Sequence, residues 1–152
     1  MGLDLTPRRG DRPLDNPPGM THKDSEPCPF ADDKNPIGVF GTCCSYRGNA
    51  CALYCIGIGL GGLAIALYED KTPEEAIAFA TAIRGAVTKF NEVQADAFKR
   101  AGVAAGERDK AEAEVPDVNW RFSLSKAVSE LQQTAKWFEK VGKLGYSVHP
   151  WF

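Results

Sequence analysis

The chain has 152 residues, a formal charge of −2 and 25% charged side chains, which by length is one domain able to bury a core. Charge divides evenly, with 6 basic and 7 acidic residues over 1–49 and 12 and 13 over 69–152. Without a basic face or an Arg/Lys run there is little counterion release to drive binding, so no nucleic-acid partner is expected.

Residues 1–36 hold seven of the ten prolines, including Pro17-Pro18 and the Pro27-Cys28-Pro29-Phe30 stretch. Each proline fixes its own φ and pushes its predecessor out of the helical region, so an extended arm is expected. Phe30 on that rigid backbone is a candidate partner contact. The start of the arm is polar and no apolar run follows for more than 35 residues, so no N-terminal signal peptide is expected. Residues 37–49 form a cysteine-bearing loop ending in Gly48-Asn49, where Asn49 suits a helix N-cap.

The organising stretch is 50–68, nineteen residues without a charge. As one helix at about 1.5 Å per residue it would reach roughly 28 Å, close to the thickness of a bilayer's hydrocarbon core. Its seven Leu and Ile residues favour insertion by about 2 to 4 kcal/mol in total. The sequence therefore predicts a single membrane span. Gly57 and Gly61 form a G-x-x-x-G pair, the small-residue face through which bilayer helices pack on neighbours. A buried helix in a water-soluble protein, which would then be cytoplasmic, is the competing expectation; covering it takes more amphipathic helices than this chain offers, unless an oligomer supplies them.

Gly57, Gly59 and Gly62 also match G-x-G-x-x-G, the pyrophosphate-binding turn of a dinucleotide fold, which needs a strand before it and a helix after it. That motif looks like a flavoprotein or dehydrogenase fingerprint, but a fresh helix opens at Thr72 where the second parallel strand should lie. No acidic strand end follows about 20 residues on.

Thr72-Pro73-Glu74-Glu75 is a strong helix start: Thr72 caps, Pro73 takes the first helical position, and Glu75 closes a capping box. Ile77, Ala80, Ile83, Val87, Phe90, Val93 and Ala97 recur at three-four spacing, which predicts an amphipathic helix to about Arg100, with Gly102 as terminator. Residues 102–119 are polar and read as a linker. A further helix is predicted from Ser123, with Leu124, Ala127, Val128, Leu131, Ala135, Phe138 and Val141 on one stripe and Gly142 or Gly145 as the stop. Residues 72–145 then make an antiparallel helical hairpin. An aromatic tail, 146–152, ends in Trp151 and Phe152, a second candidate partner contact.

The five cysteines, Cys28, Cys43, Cys44, Cys51 and Cys55, are an odd number in one window, so full pairing within one chain is impossible. Cys51 and Cys55 would share a helix face, and four of the thiols could be drawn as a zinc or iron–sulfur site, although no C-x2-C pair is present. His22 and His149 fall in no recognisable nucleophile motif.

The expectation is an all-α protein: a proline-rich arm, one apolar glycine-bearing helix spanning a membrane, and a helical hairpin. Its expected role is non-catalytic, as a small structural or accessory subunit held to other, membrane-embedded subunits, with oligomerisation allowed and no cofactor. The alternative is a helical protein with a cysteine-based metal or redox site. A dinucleotide-binding fragment ranks third.

Overall fold

The computed structural model describes residues 4–9, 12–13, 46–47, 55, 58–100, 102, 107 and 124–151. These form β1 (Asp4–Arg9), β2 (Arg12–Pro13), β3 (Tyr46–Arg47), α1 (Gly61–Ala66), α2 (Pro73–Arg100), α3 (Leu124–Lys143) and β4 (Ser147–Trp151). The described residues are mostly helical, with a small antiparallel sheet beside the helices. The hairpin and both of its helix boundaries agree with the sequence. The all-α expectation does not hold, because part of the arm and part of the tail are strands.

The capping box is present: the Glu75 N–H donates to Thr72 Oγ1 (3.2 Å) and the Thr72 N–H to Glu75 Oε2 (2.8 Å). Beyond the end of α2, Gly102 has φ +69° and donates to the Lys99 carbonyl. α3 ends in a full Schellman motif, with Tyr146 N–H on Val141 O, Gly145 N–H on Gly142 O, and Gly145 at φ +76°.

The two long helices run antiparallel. Ala76, Phe79, Ala80, Ile83 and Val87 of α2 are buried against Ala127, Leu131, Ala135, Phe138 and Val141 of α3. Phe79 meets Phe138 edge-on, with centroids 4.8 Å apart, and Phe138 meets Trp137 at 5.0 Å. The predicted stripe of α2 is too long. Val93 is 62% exposed and Ala97 also faces solvent. The cause is length: α2 has 28 residues and α3 has 20, and the two are level where Gly142 meets Pro73, so α2 extends roughly 12 Å past its partner at about 1.5 Å per residue.

Arg84 and Lys143 both grip Glu139 across and along the hairpin. Hydrogen bonds from Lys143 and then Arg84 hold the Glu139 carboxyl below its ordinary range.

β1 is the central strand of the sheet. β4 pairs along one edge from Asp4↔Trp151 to Arg8↔Ser147, while β3 and β2 share the other edge at Leu5↔Tyr46 and Arg9↔Arg12. Prolines are ordinarily kept out of such strands because they lack a donor. Here the Val148 N–H and C=O both point away from β1, to Lys71, so Pro7↔Val148 is a non-hydrogen-bonded pair. In the alternating antiparallel pattern Leu5↔Pro150 is another. Neither missing N–H removes a β1–β4 ladder bond. The core-facing side chains are Leu5, Pro7, Val148 and Pro150, all buried.

β3 is fixed to α3 by a buried hydrogen bond. Thr134 donates its hydroxyl to the Glu130 carbonyl, so Tyr46 Oη is the donor to Thr134 Oγ1 at 2.8 Å. The Tyr46 ring also lies 5.6 Å from Trp137.

The apolar segment is not one helix. Cys55 is helical, but Gly59 takes φ +81° and the Leu60 N–H donates to the Cys55 carbonyl at 2.6 Å, the long-range bond of a Schellman stop. Glycine reaches that left-handed conformation at no steric cost, and the run of glycines that suggested packing in a bilayer here stops the helix. α1 restarts at Gly61 and lasts six residues. No helix among the described residues is long and apolar enough to cross a membrane. Residues 50–54 and 56–57 lie outside the described residues, as do 14–45 of the arm and loop.

Gly142 marks the closest approach of the hairpin: a Cβ there would clash with the Pro73 carbonyl oxygen and lie 2.6 Å from Ile77 Cγ1. Gly142→Ala is expected to destabilise by about 1 to 3 kcal/mol through overpacking. Its urea midpoint should fall at unchanged slope, and a midpoint equal to wild type would show that the helices separate without cost.

Candidate functional site

A grouping of polar side chains lies where the α1–α2 connector meets β4. The connector is the short stretch 67–72, and its Lys71 exchanges both backbone hydrogen bonds with Val148, at 3.0 and 2.8 Å. This bridge extends the sheet by one residue and turns the Lys71 side chain inward, where the residue is only 6% exposed.

The ammonium is satisfied there. It donates to the carbonyls of Ala66 and Glu69, the latter at 3.0 Å, so it sits at the negative pole of α1 and shares the Ala66 carbonyl with the Glu69 N–H, which reaches it at 3.4 Å. Nζ also lies 4.7 Å from the Phe79 ring centroid and 6.0 Å from that of Phe138, within cation–π range. Burial pushes the Lys71 pKa down, and the nearby charges of Glu69, Glu75 and Asp70 oppose that shift.

Next to it, Asp70 Oδ1 pairs with His149 Nδ1 at the surface. The strand alternation explains why: Val148 and Pro150 point to the core, so His149 points out, toward the connector. Asp70, Lys71 and His149 thus clamp one connector to one strand. In the sequence Lys71 carries no signal beyond a charge just past the apolar stretch, and His149, which falls in no nucleophile motif, pairs with an Asp70 too distant in the chain for any spacing rule.

Of the predicted site residues, Cys55 is fully buried in the hydrophobic core, while Cys28, Cys43, Cys44 and Cys51 lie outside the described residues. Among the described residues, no group of three or more His, Cys, Asp or Glu side chains could hold a metal ion. Cys55 is helical where a dinucleotide turn requires a strand, and every strand pairing described is antiparallel. Trp151 is paired through its backbone with Asp4. Gly57, Phe30 and Phe152 lie outside the described residues.

Gly61 is solvent-facing, as is Gly62, and a Cβ on either would meet nothing within 4 Å. One turn on, Ile65 is 67% exposed, and Tyr68 is 46% exposed. The opposite side of α1 is buried through Ala64 and Leu67. α1 therefore presents an uncharged outer face to solvent, with exposed Glu69 and Asp70 at its end. A second surface feature lies on α3, a shallow depression of about 270 Å³ lined by Lys136, Glu139, Lys140, Lys143 and Leu144.

Comparison with protein-family models, with curated proteins and with solved structures finds no match to this chain.

A lysine that binds its proton less tightly when folded than when unfolded makes stability rise with pH, because the unfolded chain then holds more protons. For Lys71 the window runs from its lowered folded value up to the ordinary 10.5. In Lys71→Met, which keeps the aliphatic stem and removes the charge, this alkaline gain should vanish. Urea midpoints of the two proteins across that range are the check, and parallel curves would refute the burial of the charged group.

Proposed function

We propose that this protein is a non-catalytic structural or accessory subunit, docked on other protein subunits through the outer face of α1. The observation that carries this reading is the uncharged, solvent-facing surface of Gly61, Gly62, Ile65 and Tyr68 on a helix whose other side is buried. Burying a side chain such as Ile65 fully would contribute about 1.5 to 3 kcal/mol, and glycines beside it let a partner backbone approach closely. Polar groups that the structure describes support the same reading, since they are occupied in holding the fold: buried Lys71 caps α1 and buried Tyr46 holds Thr134, while at the surface Asp70 holds His149. The membrane setting of the assembly rests on the charge-free sequence of 50–68.

A photoreactive phenylalanine analogue at Ile65, irradiated in cells, tests the reading, with the same group at exposed Thr81 of α2 as control. Discrete protein adducts from position 65 and not from 81 are expected, in carbonate-washed membranes. Equal or absent adducts at both positions would overturn the docking role. Adducts found only in the carbonate-released fraction would overturn its membrane setting.

A further inference from the structure

The chain carries two surfaces of complementary character. The first is the outer face of α1: Ile65 and Tyr68 exposed, followed at once by exposed Glu69 and Asp70, with Glu74 exposed a few residues further on. It is an apolar ridge with an acidic edge. The second is the depression on α3, where Leu144 is 44% exposed and the aliphatic stems of Lys136, Lys140 and Lys143 supply apolar lining beneath their ammonium groups. Those lysines recur at four- and three-residue intervals on the side of α3 opposite Leu131, Ala135, Phe138 and Val141, which are buried. The lining carries three lysines against one carboxylate, Glu139, which engages Arg84 and Lys143, so its rim is basic in net charge. An apolar ridge with an acidic edge matches an apolar depression with a basic rim in both hydrophobicity and sign.

Building on the docking role of α1, we propose that the partner of this face is a second copy of the chain, with Ile65 and Tyr68 of one copy set against the Lys136–Leu144 depression of the other. Each surface faces solvent on its own element, so the contact forms between chains. Because the two patches differ, the contact is heterologous: it closes into a two-fold pair only if both contacts form at once, and otherwise propagates head to tail. Its apolar part is not screened by salt, while its charged rim is screened as ionic strength rises.

Sedimentation velocity of the full chain tests this at up to about 100 μM, a range that detects weak self-association. Dimers or larger species are expected, weakening several-fold between about 0.05 and about 0.5 M salt. Ile65→Glu should weaken association at least about 10-fold. Glu69→Lys and Lys136→Glu should each weaken it alone, whereas an equimolar mixture of these two variants should associate again, because the wild-type Glu69 of one meets the wild-type Lys136 of the other. A monomer under all conditions would overturn the proposal, as would association indifferent to these substitutions or a mixture that fails to recover. A monomer here together with position-65 adducts to a different protein in cells would remove the self-pairing and leave the accessory role of α1 standing.

Discussion

A single lysine, through its ammonium group and its backbone, ties together four elements that the chain supplies from separate places. Lys71 takes the C-terminal carbonyl of α1, lies over a ring of α2 and within reach of a ring of α3, and through its own backbone closes onto β4. Taking a charge out of water is costly unless its donors are used, and here two carbonyls and two ring faces receive them. Remove this residue and α1 loses its cap, the sheet loses its outermost bridge, and the aromatic layer of the hairpin loses its cover. The arrangement also fixes how the chain turns from α1 into α2, and so which side of α1 faces out.

Around that point the molecule has two kinds of contact. The hairpin is held by interleaved alanines, branched aliphatic side chains and aromatic rings, with Gly142 admitting Pro73 and Ile77 where a methyl group would not fit. The sheet is held by backbone pairing of segments remote in the chain, arranged so that two prolines occupy positions where no ladder bond is required. Tyr46 connects the two, bonding Thr134 of α3 while sitting beside Leu5 in the sheet. The uncharged outer face of α1 is a by-product of the same geometry: Ala64 and Leu67 are drawn into the core, which leaves Ile65 and Tyr68 outside.

The hairpin was readable from residues because its signals are local. Thr72-Pro73-Glu74-Glu75, the three-four stripes and Gly145 each act within a few positions, and the structure contains the capping box, both helices and the Schellman stop, although the buried stripe of α2 ends before Val93. The apolar stretch misled because hydropathy over nineteen residues does not register a single backbone angle; one glycine at positive φ ends a helix that composition alone would continue. The sheet was hidden for a different reason. Proline-rich and aromatic termini carry no strand alternation strong enough to read, and their pairing is decided by partners at the far end of the chain. For the same reason Asp70 and His149 could not be matched, and the overhang of α2 depends on the length of a helix that begins more than twenty residues later.

The position of β1 has one more consequence, for synthesis on the ribosome. Its partner β4 is made last of all the described elements, so Leu5 and Pro7 wait without that strand until residues 147–151 have emerged. Local helices can form meanwhile, but the strand order cannot be completed until β4 is available. During that interval the early apolar side chains are available to whatever nascent-chain binding factor reaches them first.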